Sequence, residues 1–248
     1  DTSQFFTAQN EKLGLGSSAA LTVALFSALS KFQDNNFDIE KEHDVIFKTS
    51  LEIHRKAQDS VGSGIDITAS VFGGVLRYHI TDRENKTLPI YEKLTIPDDL
   101  HILSIWTGAS ASTAQFVQKV NEFKMIKPYD YEAITERMKQ VSTSGIEAIQ
   151  QNSLTEFLKS VRLYYDEMKT LGEKSGVPIV SKAHHHIHDL VMGEGGAYKP
   201  SGAGGGDIGT AFCSAATIKE KIAQKLIQNG FHAIDLELVK KGVQLRNF

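Results

Sequence analysis

Cysteine is nearly absent from this chain: its 248 residues include a single one, Cys213. One cysteine excludes an intramolecular disulfide and is typical of a reducing compartment. No apolar run approaches the roughly 20 residues that span a bilayer, and no signal peptide is visible, so we expect a cytoplasmic protein without membrane association. The net charge of -3 gives no general excess of basic groups, which argues against a nucleic-acid partner.

The bulk composition is that of an ordinary globular protein, with 41% hydrophobic and 23% charged residues. The length suits one large domain or two modest ones. We place the boundary at the segment Pro97-Asp98-Asp99 and predict two domains, 1–97 and 98–248. The first combines helices with extended runs, and the second reads as helices on an antiparallel sheet, so the fold class is α+β.

Hydrophobic periodicity predicts most of the secondary structure. We expect helices over 17–32, 38–58, 114–120, 184–192 and 217–229, with two longer ones between 134 and 172. Extended runs are 75–80, 87–94, 101–106, 208–212, 231–236 and 239–245. Asp38 is the predicted N-cap of the second helix and Gly172 a helix stop, while Thr217 and Glu220 form a capping box.

The strongest functional signal is a loop of glycine and serine, residues 12–20, that opens an apolar helix. Its two glycines let the backbone turn tightly and approach a ligand closely. The free N–H groups at a helix start form an anion site that suits a polyphosphate, and a serine hydroxyl there can reach Mg²⁺. Because the helix is apolar on almost every side, we expect it to be buried.

Three other readings of this loop compete. A Walker A loop ends in Gly-Lys-Ser or Gly-Lys-Thr, which is absent here. A dinucleotide-binding fingerprint matches the spacing of Gly14, Gly16 and Ala19, with Asp34 at a suitable distance for a ribose contact. However, residues 8–11 are polar rather than a buried strand, and Asp34 stands in a polar run. The third reading is a plain capped helix.

Three further segments carry weaker signals. In residues 61–66, a carboxylate on a glycine-lined turn, Asp66, can orient or deprotonate an attacking group, although Asp after glycines is more often a turn or an N-cap. Residues 199–207 hold four glycines within five positions and read as a ligand loop or a flexible connector. Residues 106–113 carry hydroxyls that either cap a helix or bind an oxyanion.

Two features resemble metal sites. Histidines 184, 185, 186 and 188 form a cluster in which His184 and His188 would share a helix face. We favour a partly exposed polar helix there, because no cysteine or second paired motif is close in sequence. Glu52 is a candidate metal ligand, but Arg55 and Lys56 at i+3 and i+4 explain it equally well by a surface ion pair.

Taken together, the four segments resemble the GHMP kinases, a family named for galactokinase, homoserine kinase, mevalonate kinase and phosphomevalonate kinase. Residues 12–20 look like the family's second motif and 199–207 like its third. The segments most similar to its phosphomevalonate kinase branch are 54–58, 61–66, 71–78, 106–113 with 117–120, and 204–207. The resemblance covers essentially the whole chain, with the segments in the family's order.

The resemblance implies a two-domain fold, with an N-terminal domain like ribosomal S5 domain 2 and a ferredoxin-like C-terminal domain. It implies Mg²⁺-dependent transfer of the γ-phosphoryl group of ATP to 5-phosphomevalonate. The implied catalytic residues are Lys12, Ser18 and Asp66, and the implied metal ligands are Ser18 and Glu52. ATP would contact Gly14, Leu15, Gly16, Ser17, Ser18 and Ala19. The acceptor would contact Ser63, Gly64, Asp66, Ser110, Ser112, Thr113, Ser201, Gly202, Ala203 and Gly204, and the loop 202–206 would close over the site.

One departure from the family accompanies this interpretation: its first motif, which contributes strands and a lysine, is absent. We therefore expect a missing N-terminal segment of the same enzyme and little or no activity from the 248 residues alone, as a monomer or a homodimer. Two alternatives remain. Another GHMP kinase, such as a mevalonate or sugar kinase, would need Asp66 more strongly because its acceptor is a hydroxyl. A non-catalytic nucleotide sensor would bind ATP without turnover.

Overall fold

The structure, a computed structural model, describes residues 2–6, 12–57, 62–81, 87–110, 113–234 and 236–246. The chain forms two compact units. Unit 1 comprises Asp1–Gln4, Gly16–Thr95 and Glu237–Phe248, and unit 2 comprises Phe5–Leu15 and Ile96–Leu236. The segments 5–15 and 237–248 thus each associate with the unit that is remote from them in sequence, while the predicted bounds 1–97 and 98–248 stay a prediction. In the described residues, no helix has the length and apolar character needed to cross a membrane.

Unit 1 consists of three helices and a hairpin. The helices are α1 (Ser17–Gln33), α2 (His43–Ala57) and α3 (Ile65–Phe72), and the antiparallel hairpin pairs β1 (Val75–His79) with β2 (Ile90–Leu94). A 3-10 turn covers Ser3–Phe5. The core of the unit packs the inner faces of all three helices together, with Val23, Ile46, Leu51, Ile67 and Val71 almost fully buried.

Helix α1 is apolar but not buried all round, so that prediction was wrong. Ala19 and Val23 face the core with at most 2% exposure, whereas Leu21, Leu25 and Leu29 are 53–57% exposed. These three leucines are spaced by four residues and therefore share one face of the helix. Because periodicity shows only where apolar side chains lie around a helix, it does not show whether another element covers them.

One helix start and one predicted strand in unit 1 also differ from the predictions. Helix α2 begins at His43 rather than next to Asp38, whose carboxylate instead accepts a hydrogen bond from the Glu40 backbone N–H in a tight turn. In the described part of 239–245 the chain is not a strand. It runs against the end of α3, where a Cβ on Gly73 would lie 2.4 Å from the Lys241 carbonyl carbon. Two backbone hydrogen bonds hold this segment without forming a regular ladder: the Gly74 N–H donates to the Val239 carbonyl oxygen, and the Val243 N–H donates to the Val71 carbonyl oxygen.

Unit 2 is a layer of helices on a four-stranded antiparallel sheet of order β4-β5-β3-β6. Its strands are β3 (His101–Trp106), β4 (Ala197–Pro200), β5 (Ile208–Cys213) and β6 (His232–Ile234), and its helices are α4 (Thr113–Ile126), α5 (Pro128–Gln150), α6 (Leu154–Ser175), α7 (Lys182–Gly193) and α8 (Ala216–Gln228). The inward faces of β3 and β5 pack on Tyr165, Ile187 and Ile222. The mixture of helices and antiparallel sheets confirms the predicted α+β class.

Three details of unit 2 differ from the predictions. Helix α6 runs past Gly172 and ends at Gly176, which adopts the left-handed conformation that closes a helix (φ 67°). Gly172 is needed for another reason: a Cβ there would lie 2.7 Å from the Val177 carbonyl oxygen. The N-cap of α8 is Ala215, so Thr217 does not cap it. Strand β4, within the predicted loop 199–207 and just before it, was not predicted.

Candidate functional site

The start of α1 has the geometry of an anion site. Gly16 is the N-cap, in the left-handed conformation (φ 72°, ψ 31°), and no side chain caps the helix. A Cβ at Gly16 would lie 3.2 Å from Cγ of Asp66. The carboxylate that the sequence singled out is therefore packed directly against the glycine of the loop, although 50 positions separate them. Only a glycine leaves room for both the turn and the carboxylate.

Helix α2 positions the second serine of the loop. Ser17 is buried, whereas Ser18 is exposed, and its Oγ lies 3.3 Å from Nε2 of His54. His54 itself is only 6% exposed. The hydroxyl predicted to reach a metal is thus held by a buried imidazole. The sequence alone assigned no role to His54; the available signal was a polar residue at an inward position of an amphipathic helix.

The turn that carries Asp66 is held from three sides. Gly64, the N-cap of α3 (φ 82°), packs so closely that a Cβ would lie 2.4 Å from Cδ1 of Leu51. The Tyr78 hydroxyl donates to the Ser63 carbonyl oxygen, and the Thr68 hydroxyl donates to the Gly64 carbonyl oxygen. Asp66 stands in the first turn of α3, where the helix dipole favours its negative charge.

Tyr78 shows which charges surround this turn. Burial raises the pKa of its phenol, the nearby Arg55 guanidinium opposes that shift, and the Asp66 carboxylate adds to it. A cation and the candidate carboxylate therefore lie near the same hydroxyl.

Glu52 is not brought to Ser18. It is two positions from His54 on α2, a separation of about 200° around a helix. Its carboxylate instead accepts from the Lys56 ammonium at 2.7 Å, and that contact lowers the pKa of the carboxyl group. The structure contains the surface ion pair, and the role of Glu52 as a metal ligand stays a prediction.

In unit 2, the first half of the glycine loop meets the third motif. A Cβ at Gly14 would lie 2.8 Å from Cβ and Cγ of Asp207. Asp207 has a positive φ of 53°, which is uncommon for a residue other than glycine. Its backbone is held at both ends, because its N–H donates to the Ala109 carbonyl at 2.7 Å and its own carbonyl accepts from the Thr107 N–H at 3.0 Å.

The glycine-rich loop is anchored rather than loose. The Gly205 N–H donates to the Ile179 carbonyl oxygen at 2.7 Å, and Gly204 is packed against the same residue. The Gly206 carbonyl oxygen lies 3.1 Å from Nε2 of His184. These contacts describe a fixed backbone surface, with Gly202 as an exposed bend (φ 58°).

The other predicted site residues of unit 2 differ in whether their side chains are exposed or bonded within the unit. The Ser110 hydroxyl donates to the Lys12 carbonyl oxygen at 3.1 Å, so the segments 12–20 and 106–113 meet, and the Lys12 side chain is exposed. Thr113 is exposed at the first position of α4. Ser201 is engaged inside the unit, with its Oγ 2.9 Å from Oγ1 of Thr210. Ser112 lies outside the described residues.

A pocket of about 490 Å³ opens beside Gly202 and Ala203. Aromatic and aliphatic side chains from α4, α5 and α6 form its walls, and Lys199 is the charged residue among its described lining. The Lys199 ammonium donates to the Pro200 carbonyl oxygen and lies 5.6 Å from the centre of the Tyr164 ring. Burial lowers the pKa of this ammonium. A small molecule with an anionic end and an aliphatic body would match such a pocket.

The described residues fit a nucleotide phosphate with Mg²⁺. Gly16 leaves the first N–H groups of α1 without a side-chain cap, and the exposed Ser18 hydroxyl stands in the first turn of that helix. Backbone N–H groups of this kind bind phosphate oxygens, while a hydroxyl and a carboxylate are suitable oxygen ligands for Mg²⁺. The arrangement can therefore hold a polyphosphate and bring a carboxylate beside it.

The chain is similar in sequence to known kinases. Residues 9–74 match the family described as GHMP kinases N terminal domain. The chain is 28% identical to the phosphomevalonate kinase of Streptomyces sp. (strain CL190) over 226 residues, which cover 84% of this chain and 59% of that protein. It is 30% identical to the phosphomevalonate kinase of Saccharolobus solfataricus over 204 residues, covering 82% and 61%. Mevalonate kinases are also among the similar proteins.

The chain also shares its fold with a solved structure. The structure of Streptococcus pneumoniae phosphomevalonate kinase in complex with phosphomevalonate and AMPPNP superposes with a TM-score of 0.80 at 19% identity, covering 95% of this chain and 72% of that one. The chain spans about three fifths of the length of the two curated phosphomevalonate kinases described above. The resemblance to the GHMP kinases is thus confirmed, by a family match in the N-terminal part of the chain and by a shared fold over most of its length.

Proposed function

We propose that the protein containing this chain is an ATP- and Mg²⁺-dependent phosphotransferase acting on 5-phosphomevalonate. The observation that carries the proposal is the placement of Asp66 against Gly16 at the uncapped start of α1, with Ser18 held by His54 in the same unit. Phosphoryl transfer depends mainly on alignment and on stabilisation of charge, which backbone N–H groups, a hydroxyl and a carboxylate supply here.

The proposed reaction joins a phosphate oxygen of the acceptor to the γ-phosphorus of ATP. The bond between that phosphorus and the bridging oxygen to the β-phosphate breaks, and ADP leaves. In this scheme the loop 14–19 binds the phosphates of ATP, Ser18 contributes its hydroxyl to Mg²⁺, and Lys12 offsets negative charge. Mg²⁺, when bound, neutralises charge that develops on the phosphate oxygens.

The chemical nature of the acceptor determines whether Asp66 must act as a general base. A phosphate oxygen is already anionic at neutral pH, so Asp66 then serves to position the acceptor or the metal. If the acceptor were the hydroxyl of mevalonate, Asp66 would have to act as a general base. Mevalonate kinases among the similar proteins make this the second candidate.

The test is an ADP-release assay on the protein at its full natural length, with either 5-phosphomevalonate or mevalonate. We expect turnover with 5-phosphomevalonate, and Asp66→Asn should then lose less than the roughly 10²- to 10⁴-fold that removal of a general base costs. Asp34→Asn is the matched control, since Asp34 is an exposed carboxylate at the far end of α1 that bonds the Asn36 N–H. Turnover with mevalonate alone would overturn 5-phosphomevalonate as the acceptor. ATP binding without any turnover would favour the alternative of a non-catalytic nucleotide sensor.

A further inference from the structure

We propose that the outer face of α7 is a binding site for a zinc-class divalent cation, formed by His185, His188 and Asp189 and separate from the proposed phosphotransfer residues. The three residues occupy positions i, i+3 and i+4 of the helix, so they share one face. One ligand atom from each lies within 4.8 Å of those of the other two. Within the described ranges, this is the one group of three histidine, cysteine or carboxylate side chains that is so close.

The distances allow coordination with small movements. His188 Nδ1 lies 3.0 Å from one oxygen of Asp189, and His185 Nε2 lies 3.8 Å from the other. Ligands at about 2.1 Å from a tetrahedral zinc ion are about 3.4 Å apart, so both observed distances are near that value. The His185 and Asp189 side chains are 53% and 58% exposed, which leaves them free to make the remaining adjustment.

A buried tyrosine from α6 orients both imidazoles. The Tyr165 hydroxyl lies 2.9 Å from Nδ1 of His185, which leaves Nε2 to face Asp189. The Tyr165 ring also stacks on His188, with centroids 3.8 Å apart and planes 9° from parallel. Histidine ligands of metals commonly use their second nitrogen in this way, and the contact fixes the ring. One almost fully buried side chain thus contacts both imidazole rings.

The ligand chemistry selects the cation. Two imidazole nitrogens and one carboxylate suit Zn²⁺, and also Co²⁺ and Ni²⁺, whereas Mg²⁺ prefers oxygen ligands. Three protein ligands leave one position of a tetrahedral ion for water. The alternative is a site in which Asp189 only accepts hydrogen bonds from its neighbouring histidines, with no affinity for a metal.

Calorimetric titration of the chelator-treated, tag-free chain with ZnCl₂ tests the site. We expect saturable binding of one equivalent, a loss of at least about tenfold in His185→Gln, and a loss of about 10- to 100-fold in Tyr165→Phe, which keeps the ring but removes the hydroxyl. His186→Gln is the matched control, because His186 is exposed on the same helix and points its ring at Phe231 instead.

A second readout guards against a variant that fails to fold. Co²⁺ should give visible absorption bands of a four-coordinate site with the wild-type chain and with His186→Gln, but not with His185→Gln, and circular dichroism should show the same helix content in all three. Absence of saturable Zn²⁺ binding, or an equal effect of His185→Gln and His186→Gln, would overturn the proposal.

Discussion

At the residue scale, His184 connects the helical layer to the glycine-rich loop. It is fully buried, with Nδ1 2.7 Å from the Tyr198 hydroxyl and Nε2 3.1 Å from the Gly206 carbonyl oxygen. Burial lowers the pKa of its imidazole from 6.5 to about 4, the Gly206 contact opposes that shift, and the Lys199 charge adds to it. The ring is therefore neutral in the folded protein at neutral pH, and the loop depends on an uncharged histidine.

This pKa predicts an acid-sensitive stability. Because the unfolded chain binds a proton more readily than the folded one, the stabilisation is complete above pH 6.5 and is lost as the pH falls towards about 4. The difference between the pKa values of 6.5 in the unfolded chain and about 4 in the folded protein corresponds to roughly 3 kcal/mol of unfolding free energy. Urea unfolding in EDTA should show that the drop between pH 7 and pH 4.5 is smaller in His184→Gln than in the wild type. His186→Gln should retain the wild-type drop, and a full-sized drop in His184→Gln would contradict the account.

At the element scale, the loop between β4 and β5 is built on glycines that have different reasons to be there. Gly204 (φ 73°) has no space for a side chain, since a Cβ would lie 2.3 Å from the Ile179 carbonyl oxygen. Gly202 (φ 58°) faces open space, with nothing within 4 Å of the same position. A side chain at Gly202 would therefore cause backbone strain alone, whereas one at Gly204 would cause both backbone strain and steric overlap.

Alanine substitutions at these two positions should differ in cost. Gly202→Ala carries only the left-handed backbone penalty of about 1 kcal/mol. Gly204→Ala adds overlap with a backbone atom, which brings its total to about 3 kcal/mol. The difference is measured as a change in the urea midpoint at constant slope. Equal midpoints for the two variants would show that the loop is not anchored at Ile179.

The sequence predicted the existence of most helices and strands better than the residues at which they begin and end. Apolar residues at regular spacing predicted α1, the helical region after β3 and strand β3 itself. The sequence misplaced the start of α2, because Asp38 holds a local turn at Glu40 instead of capping the helix. It misplaced the end of α6, because Gly172 is required by close packing against Val177 and not by a helix end. Strand β4 was missed because its four residues lie between two glycine-rich segments, so the whole stretch resembles a loop.

At the scale of the whole molecule, the sequence predicted which segments matter but not what each contacts. The four motifs follow one another over about 200 positions, and spacing alone does not show that Gly16 packs on Asp66 or Gly14 on Asp207. His54 was missed as a site residue because nothing in its own segment marks it as a partner of Ser18. Such contacts arise from tertiary packing, in which a side chain acquires its role from residues far along the chain.

The central claim is that the protein transfers phosphate to a phosphate. Phosphorus NMR of the reaction with ATP, Mg²⁺ and 5-phosphomevalonate tests it most directly, because the method shows which atom receives the group. Our account predicts that the phosphomonoester signal is replaced by the pair of coupled signals of a diphosphate, in step with the appearance of ADP. An unchanged phosphomonoester with 5-phosphomevalonate, together with a new phosphomonoester formed from mevalonate, would contradict it.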